Sequence, residues 1–377
     1  AFFIGAKPFD DDKLSALIGS APANAIEETI SAAVREAEQA RSTTGMVPAP
    51  AEPHTFTQQG FSYSVRLADF GDDILAKEFS DVLQGVVGAL ARDLPLHELD
   101  GFTLAVDYHG ALATLDRGDP DLPPVTSSAL GYGLGVAKPV TVIRDGARKE
   151  HLVIAAWLAE MWLSPDAEAR ATGLYTLVKM LAGVAHSTRY ARARETSFTP
   201  DAMGRELHLA VATTPAGYWS ARQAAFVAPD QGQAYADLVI GSLDFAEREI
   251  ADERARIPES GDIGNVTMRA LECVSAVLGH SADWLGHRDG LTEGQAFAGR
   301  DLPERLKARG LDRWIELFGR DLAACYGPDG ALNPEVLTKL STHVERLFWS
   351  LGSCCWPEDE DIRCLVTDQF FFPPQLS

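Results

Sequence analysis

The sequence predicts an α+β protein, in which a small mixed or antiparallel sheet precedes a mainly helical half. Two observations predict this division. Strand-like runs, either alternating or continuously apolar, occur at 61–70, 101–106, 132–143 and 147–155. From residue 157 onward, apolar residues recur at helical spacing almost throughout the chain. Hydrophobic residues make up 46% of the 377 residues, which is enough to fill a core.

The chain begins with a predicted helical arm over residues 1–41. Asn24 suits the N-cap of the second helix of this arm, and Glu27 stands three residues later, as in a capping box. Residues 42–60 are rich in proline, threonine and glycine and contain few large apolar side chains. This composition predicts a linker between the arm and the body of the protein.

The α+β part is predicted over residues 61–192. A helix over 72–92 separates the first two strands, and a short helix over 107–116 follows the second strand. Asp145 and Gly146 stand between two apolar runs and suit the tight turn of a hairpin. The third and fourth strands are therefore expected to pair as antiparallel neighbours.

Residues 193–352 are predicted to form a helical part, and residues 353–377 a C-terminal tail. The helical periodicity indicates helices at 200–211, 216–227, 232–256, 263–284, 302–308, 311–326 and 333–351. Gly286 and Gly290 suggest that the helix beginning at residue 263 ends near them. Three consecutive aromatic residues in the tail, Phe370–Phe372, must be buried against this chain or against a partner.

The chain is strongly acidic, with a formal net charge of 33 − 54 = −21. This charge repels phosphate groups, so it argues against nucleic-acid binding and against contact with an anionic membrane. A cationic partner or plain solubility is consistent with it. No apolar run reaches about 18 residues, the length of a membrane-spanning helix, and the cytoplasm is the expected location.

Five cysteines are present, and no two are spaced as Cys-x-x-Cys. An odd number of cysteines in a chain of this length predicts free thiols rather than a disulfide framework or a zinc ribbon. A redox pair between Cys355 and Cys364 is the alternative interpretation.

The helix at 165–190 carries the most informative pattern in the chain. Ser164 suits its N-cap, and apolar residues follow at helical spacing. Together with the stretches at 99–118 and 135–153, this helix resembles a bacterial zincin-like metallopeptidase family. The resemblance covers about 100 residues and implies a zincin-like active-site helix beside the sheet.

In that family the helix carries His-Glu-x-x-His, in which two imidazoles bind zinc and the glutamate is the general base. The corresponding positions here hold Lys179, Met180 and Gly183. A later Glu-Tyr-x-x-x-Arg stretch, which supplies a third ligand, matches Gly217 to Arg222 and places Gly217 at the glutamate position. An ammonium group has no lone pair for zinc. The resemblance therefore implies a member without a metal, a cofactor or catalytic residues.

A binding site is nevertheless predicted on this helix. At about 100° per residue, five of its residues cluster on the side that a zincin turns toward its cleft, and the later stretch adds two. The predicted site consists of Tyr175, Lys179, Gly183, His186, Tyr190, Tyr218 and Arg222. An aromatic and cationic cleft of this kind suits a carboxylate or a peptide terminus. An exposed helix face without a ligand is the other interpretation.

Three functional hypotheses follow from the sequence. The first is a catalytically inactive, metallopeptidase-like protein that binds a peptide, a small acid or a protein partner. The second is an active metal-dependent hydrolase whose site has moved to some of His186, His208, His280 and His287. The third is a structural subunit of a homo- or hetero-oligomer, joined through the N-terminal arm or the phenylalanine-rich tail.

Overall fold

The computed structural model describes residues 54–367 apart from 59, 69, 71–72, 126–128, 131–132, 196–201, 262, 293, 328–330 and 359–360. The predicted N-terminal arm, residues 42–53 of the predicted linker and the Phe370–Phe372 run lie outside the described residues. The body of the chain divides into two compact units, with the boundary between Thr188 and Arg189.

A five-stranded mixed sheet forms the centre of the first unit, with the strand order β1-β2-β3-β7-β6. Its strands are β1 (His54–Gln58), β2 (Phe61–Ala68), β3 (Leu99–Ala105), β6 (Ala137–Arg144) and β7 (Ala147–Ala155). The pairs β2–β3 and β3–β7 are parallel, whereas β1–β2 and β6–β7 are antiparallel. A separate two-stranded ribbon joins β4 (Ala129–Leu130) to β5 (Gly133–Leu134). The α+β class and the mixed sheet agree with the sequence prediction.

The strand β1 lies in the segment that was predicted to be a linker. Thr55 and Thr57 flank Phe56, and these residue types favour an extended, pleated backbone. The Phe56 ring packs against the Tyr63 ring of β2, with a centroid separation of 5.7 Å. The linker prediction is therefore corrected over residues 54–58, because cross-strand packing outweighs the proline-rich composition around them.

The tight turn between β6 and β7 has the geometry that its sequence predicts. Asp145 has φ of 52° and Gly146 has φ of 76°, both in the left-handed region that a type I′ turn requires. The hairpin continues in register from Arg144–Ala147 to Ala137–Ile154.

Four helices accompany the sheet in the described part of the first unit: α1 (Asp73–Leu90), α2 (Tyr108–Thr114), α3 (Ala156–Glu160) and α4 (Ala167–Glu195), which crosses the unit boundary. A 3₁₀ turn over Met161–Leu163 follows α3. Asp166, rather than Ser164, caps the start of α4, because its carboxylate accepts hydrogen bonds from the backbone N–H groups of Glu168 and Ala169.

The second unit is mainly helical. Its helices are α5 (Ala202–Val211), α6 (Thr214–Ala224), α7 (Gln231–Ser260), α8 (Ile263–Gly290), α9 (Leu302–Leu306), α10 (Asp312–Ala324), α11 (Pro334–Lys339) and α12 (Ser341–Ser350). The predicted tail begins with an antiparallel hairpin, β8 (Ser353–Glu358) and β9 (Asp361–Val366). Among the described residues, no helix combines the length and the apolarity that crossing a membrane would need.

The helix α8 continues six residues beyond its predicted end. Gly286 lies inside the helix, where a Cβ atom would sit 2.0 Å from the Tyr218 carbonyl oxygen of α6. Gly290, its last residue, approaches the Arg222 carbonyl oxygen in the same way. These glycines therefore allow α6 and α8 to pack backbone against backbone, and Gly286 does not mark the end of a helix.

Candidate functional site

The predicted cleft face of α4 is mostly buried. Tyr175 and His186 are each 1% exposed, whereas Lys179 and Gly183 are half-buried. A Cβ atom added to Gly183 would meet nothing within 4 Å, so there is open space beside it. The accessible part of the predicted face in the first unit is therefore the strip at Lys179 and Gly183.

The other three predicted residues belong to the second unit. Tyr190 is half-buried, and its hydroxyl group lies 3.1 Å from the His208 Nε2 atom. Tyr218 is 1% exposed and donates a 2.8 Å hydrogen bond from its hydroxyl group to the Asp289 carboxylate. Burial and the Asp289 charge raise the pKa of Tyr218. Arg222 is half-buried. Because the seven residues divide between two units, a single cleft that joins them stays a prediction.

Gly217, the predicted counterpart of a third zinc ligand, lies close to a carboxylate of α8. A Cβ atom on Gly217 would lie 3.0 Å from the Asp283 Oδ1 atom of α8. A glutamate in this place would bring a second carboxylate beside Asp283, and like charges at this range repel. The Asp283 charge therefore disfavours a second acidic side chain at residue 217.

Two of the histidines proposed for a relocated metal site, His208 and His287, are held by separate contacts. His287 is fully buried, and its Nε2 atom donates to the Pro229 carbonyl oxygen over 3.0 Å. His208 contacts the Tyr190 hydroxyl group. Within the described ranges, no three His, Cys, Asp or Glu side chains converge as a metal site requires.

A buried chain of polar side chains crosses the middle of the first unit's sheet, and sequence reasoning missed it. The His151 Nδ1 atom lies 2.7 Å from the Asp100 carboxylate, and its Nε2 atom lies 2.9 Å from the Thr103 hydroxyl oxygen. The Arg144 guanidinium group donates to the Asp100 carboxylate from its Nε atom over 3.0 Å. His151 is 5% exposed and Thr103 is 3% exposed.

A β-bulge brings these side chains together. Leu99 of β3 faces Glu150 of β7, but Gly101 faces His151, so Asp100 is the extra residue on β3. A bulge of this kind turns a side chain away from the regular alternation of the strand. Asp100 is therefore aimed at His151, although the local sequence around either residue does not predict that the two pair.

The electrostatics of Asp100 reflect this pairing. Burial alone would raise its pKa, but the hydrogen bonds and positive charges of His151 and Arg144 outweigh burial and lower the pKa below its ordinary value. The Asp100 carboxylate is therefore ionised at neutral pH. An ionised acid, an imidazole and a hydroxyl group in hydrogen-bonded order are also the components of a hydrolase triad.

The second unit contains an open apolar groove of about 390 Å³ between α5, α8, α12 and the β8–β9 hairpin. Its apolar wall includes Met203, Leu207, Ile263, Met268, Leu271 and Phe348. Met268 is 54% exposed and Ile263 is 42% exposed, so the groove presents large apolar side chains to solvent. Glu206 and Arg363 supply the charges among the lining residues.

Comparison with protein-family models, with curated proteins and with solved structures finds no match to this chain.

Proposed function

We propose that this protein is a catalytically inactive, metallopeptidase-like binding protein, and that a peptide or protein partner occupies the apolar groove of the second unit. The observation that carries this proposal is the exposure of Met268 and Ile263 beside a groove of about 390 Å³. Pockets of about 300–1,000 Å³ with mainly apolar walls are typical ligand sites. Methionine also suits a binding surface because its flexible thioether adapts to different partners.

The chemistry of the groove and of the whole chain specifies the partner. The groove favours an apolar stripe, such as that of an amphipathic helix laid into it. The net charge of −21 favours basic residues beside that stripe, because they are attracted to the acidic protein at long range. The proposed partner is therefore an amphipathic segment with an apolar face and a basic face.

The proposed lack of peptidase activity rests on the residues at the zincin positions. Met180 is only 8% exposed, so a buried thioether occupies the predicted position of the general base. Lys179 is half-buried and carries a positive charge where a zinc ligand would be needed. Lys179 remains the predicted contact for a carboxylate, and a Lys179→Glu variant that binds acidic ligands unchanged would remove this part of the proposal.

The groove is tested with a synthetic leucine–lysine peptide whose leucines recur at helical spacing. We expect Met268→Glu to weaken binding at least about tenfold, which corresponds to about 1.4 kcal/mol, because a carboxylate then enters the apolar wall. Fluorescence anisotropy measures the Kd, and circular dichroism checks the fold. A peptide of the same composition with scrambled leucines separates groove binding from simple charge attraction.

Leu209→Glu is the matched control for this experiment. Leu209 is 65% exposed and lies on α5, but its side chain is not part of the groove lining. The substitution adds the same charge and removes an exposed apolar side chain of similar size. Equal losses of affinity in the two variants, or equal binding of the two peptides, would contradict the proposed groove function.

The hydrogen-bonded order of Asp100, His151 and Thr103 favours a second candidate function, acyl transfer with Thr103 as the nucleophile. Binding remains the first proposal because Thr103 is only 3% exposed, and a nucleophile must be accessible to its substrate. The test is turnover of p-nitrophenyl butyrate. A turnover that Thr103→Val abolishes and Thr103→Ser retains would support the second candidate, and absence of turnover in the unaltered protein would remove it.

A further inference from the structure

We propose that Cys355 and Cys364 form a reversible redox pair, a modification site that low-molecular-weight disulfides such as glutathione disulfide convert into an intramolecular disulfide. The two residues stand directly opposite each other on β8 and β9. Their Sγ atoms are 2.9 Å apart, and both cysteines are free thiols of intermediate exposure. This inference does not depend on the proposed binding function.

The strand register favours closure of the bond. The Thr367 N–H group donates to the Gly352 carbonyl oxygen, which makes this a hydrogen-bonded pair of the antiparallel ladder. Hydrogen-bonded and non-hydrogen-bonded pairs alternate, so the pair Cys355–Cys364, three steps further, is of the non-hydrogen-bonded kind. Such pairs have Cα atoms about 4.5 Å apart, within the range of about 4.4–6.8 Å that disulfides require.

The reaction is two thiol–disulfide exchanges. The Cys364 thiolate attacks one sulfur of glutathione disulfide, forms a mixed disulfide and releases one glutathione thiolate. Cys355 then loses its proton and attacks the Cys364 sulfur, which expels the second glutathione. The two cysteines are oxidised by two electrons in total, and one glutathione disulfide is reduced to two glutathiones.

The environment of Cys355 agrees with this order of attack. Burial and the neighbouring Cys364 thiol raise the pKa of Cys355, so this thiol remains protonated at neutral pH. A protonated thiol is a poor nucleophile, but it becomes the resolving group once a mixed disulfide lies beside it. Glutathione can reach the pair from the groove, since both cysteines line it.

The experiment treats the folded full chain with glutathione disulfide, then unfolds it in acid and counts free thiols by alkylation and mass spectrometry. The expected result is the loss of two of the five thiols, a Cys355–Cys364 disulfide in the peptide map and full recovery with dithiothreitol. Cys355→Ser and Cys364→Ser should each prevent the intramolecular bond.

Cys354→Ser is the matched control, because Cys354 is the immediate neighbour of Cys355 but faces Leu365 across the hairpin. This variant should still form the Cys355–Cys364 disulfide at the rate of the unaltered protein. Retention of all five thiols, a glutathione adduct that stays on Cys364, or a disulfide that involves Cys354 would each overturn the proposal.

Discussion

The polar cluster of the first unit and the apolar groove of the second unit place their side chains in opposite environments. In the first unit, Asp100, His151 and Thr103 lie inside a sheet, and each has hydrogen-bond partners there. In the second unit, the large apolar side chains of Ile263 and Met268 lie beside an open groove and remain exposed. The cluster buries polar groups that water would solvate well, and the groove exposes apolar groups that water solvates poorly.

The buried cluster is therefore expected to contribute mainly to stability, and the exposed groove mainly to recognition. A buried polar group that is fully hydrogen-bonded keeps the surrounding strands in one arrangement, and breaking it leaves its partners unsatisfied. An exposed apolar surface adds little to the stability of the free protein and gains free energy when a partner covers it. We therefore expect substitutions in the sheet to change unfolding and substitutions in the groove to change binding.

The largest loss of stability is expected where α6 packs against α8 in the second unit. Gly286→Ala places a Cβ atom against the Tyr218 carbonyl oxygen, so α6 and α8 must separate. We expect the free energy of unfolding to fall by about 3 kcal/mol, as in other overpacked cores. Urea denaturation measures the loss, and hydrogen exchange shows whether protection falls in α6 and α8.

Gly279→Ala is the control for this prediction. Gly279 lies on the same helix, but a Cβ atom there would meet nothing within 4 Å. The substitution should leave stability unchanged or raise it by up to about 1 kcal/mol, since alanine favours helix more than glycine does. Similar losses in both variants would show that the close approach of α6 and α8 is not the cause.

A smaller loss is expected in the sheet of the first unit. Asp100→Asn keeps the shape of the side chain but removes the charge that accepts hydrogen bonds from Arg144 and His151. We expect the free energy of unfolding to fall by about 2 kcal/mol, typical of a buried hydrogen bond to a charged group.

Asp116→Asn is the control, because Asp116 also approaches Arg144, at 3.9 Å, but its side chain is 87% exposed. Its loss should stay below about 0.5 kcal/mol.

The smallest effect is the pH dependence of the stability difference between the unaltered protein and Asp100→Asn. The pKa of Asp100 is lowered in the folded protein from the ordinary value of 3.8. Its carboxylate therefore contributes stability above about pH 4, and this contribution is lost as the pH falls through the folded pKa. The gap in unfolding free energy between the unaltered protein and Asp100→Asn should narrow below pH 4. A gap that is constant from pH 7 to pH 3 would contradict the assigned role of the charge.

Much of the first unit's architecture could be predicted from local patterns. The alternation of Phe61, Tyr63 and Val65 predicts β2, and the Asp145–Gly146 dipeptide predicts the hairpin between β6 and β7. The strand β1 was missed because a five-residue edge strand among prolines has little periodicity of its own. The strand is defined by its pairing with β2, which its local sequence alone does not predict.

The candidate sites were less predictable. Tyr175 and His186 share a helix face with Lys179, yet both are buried, since helical periodicity does not show which neighbouring elements cover a face. The Asp100–His151 contact joins residues 51 positions apart and depends on a bulge that no sequence pattern marks. The groove likewise joins side chains from α5, α8, α12 and a hairpin.

The sequence by itself determined the α+β class, the turn between β6 and β7 and the side-chain chemistry of Lys179, Met180 and Gly183. These features depend on the identity of residues that are close in the chain, and periodicity and side-chain chemistry reveal them. Only the tertiary structure decided that Gly286 continues a helix and that Asp100 meets His151. These features depend on contacts between distant segments, whose free energy exceeds the local preferences of the residues involved.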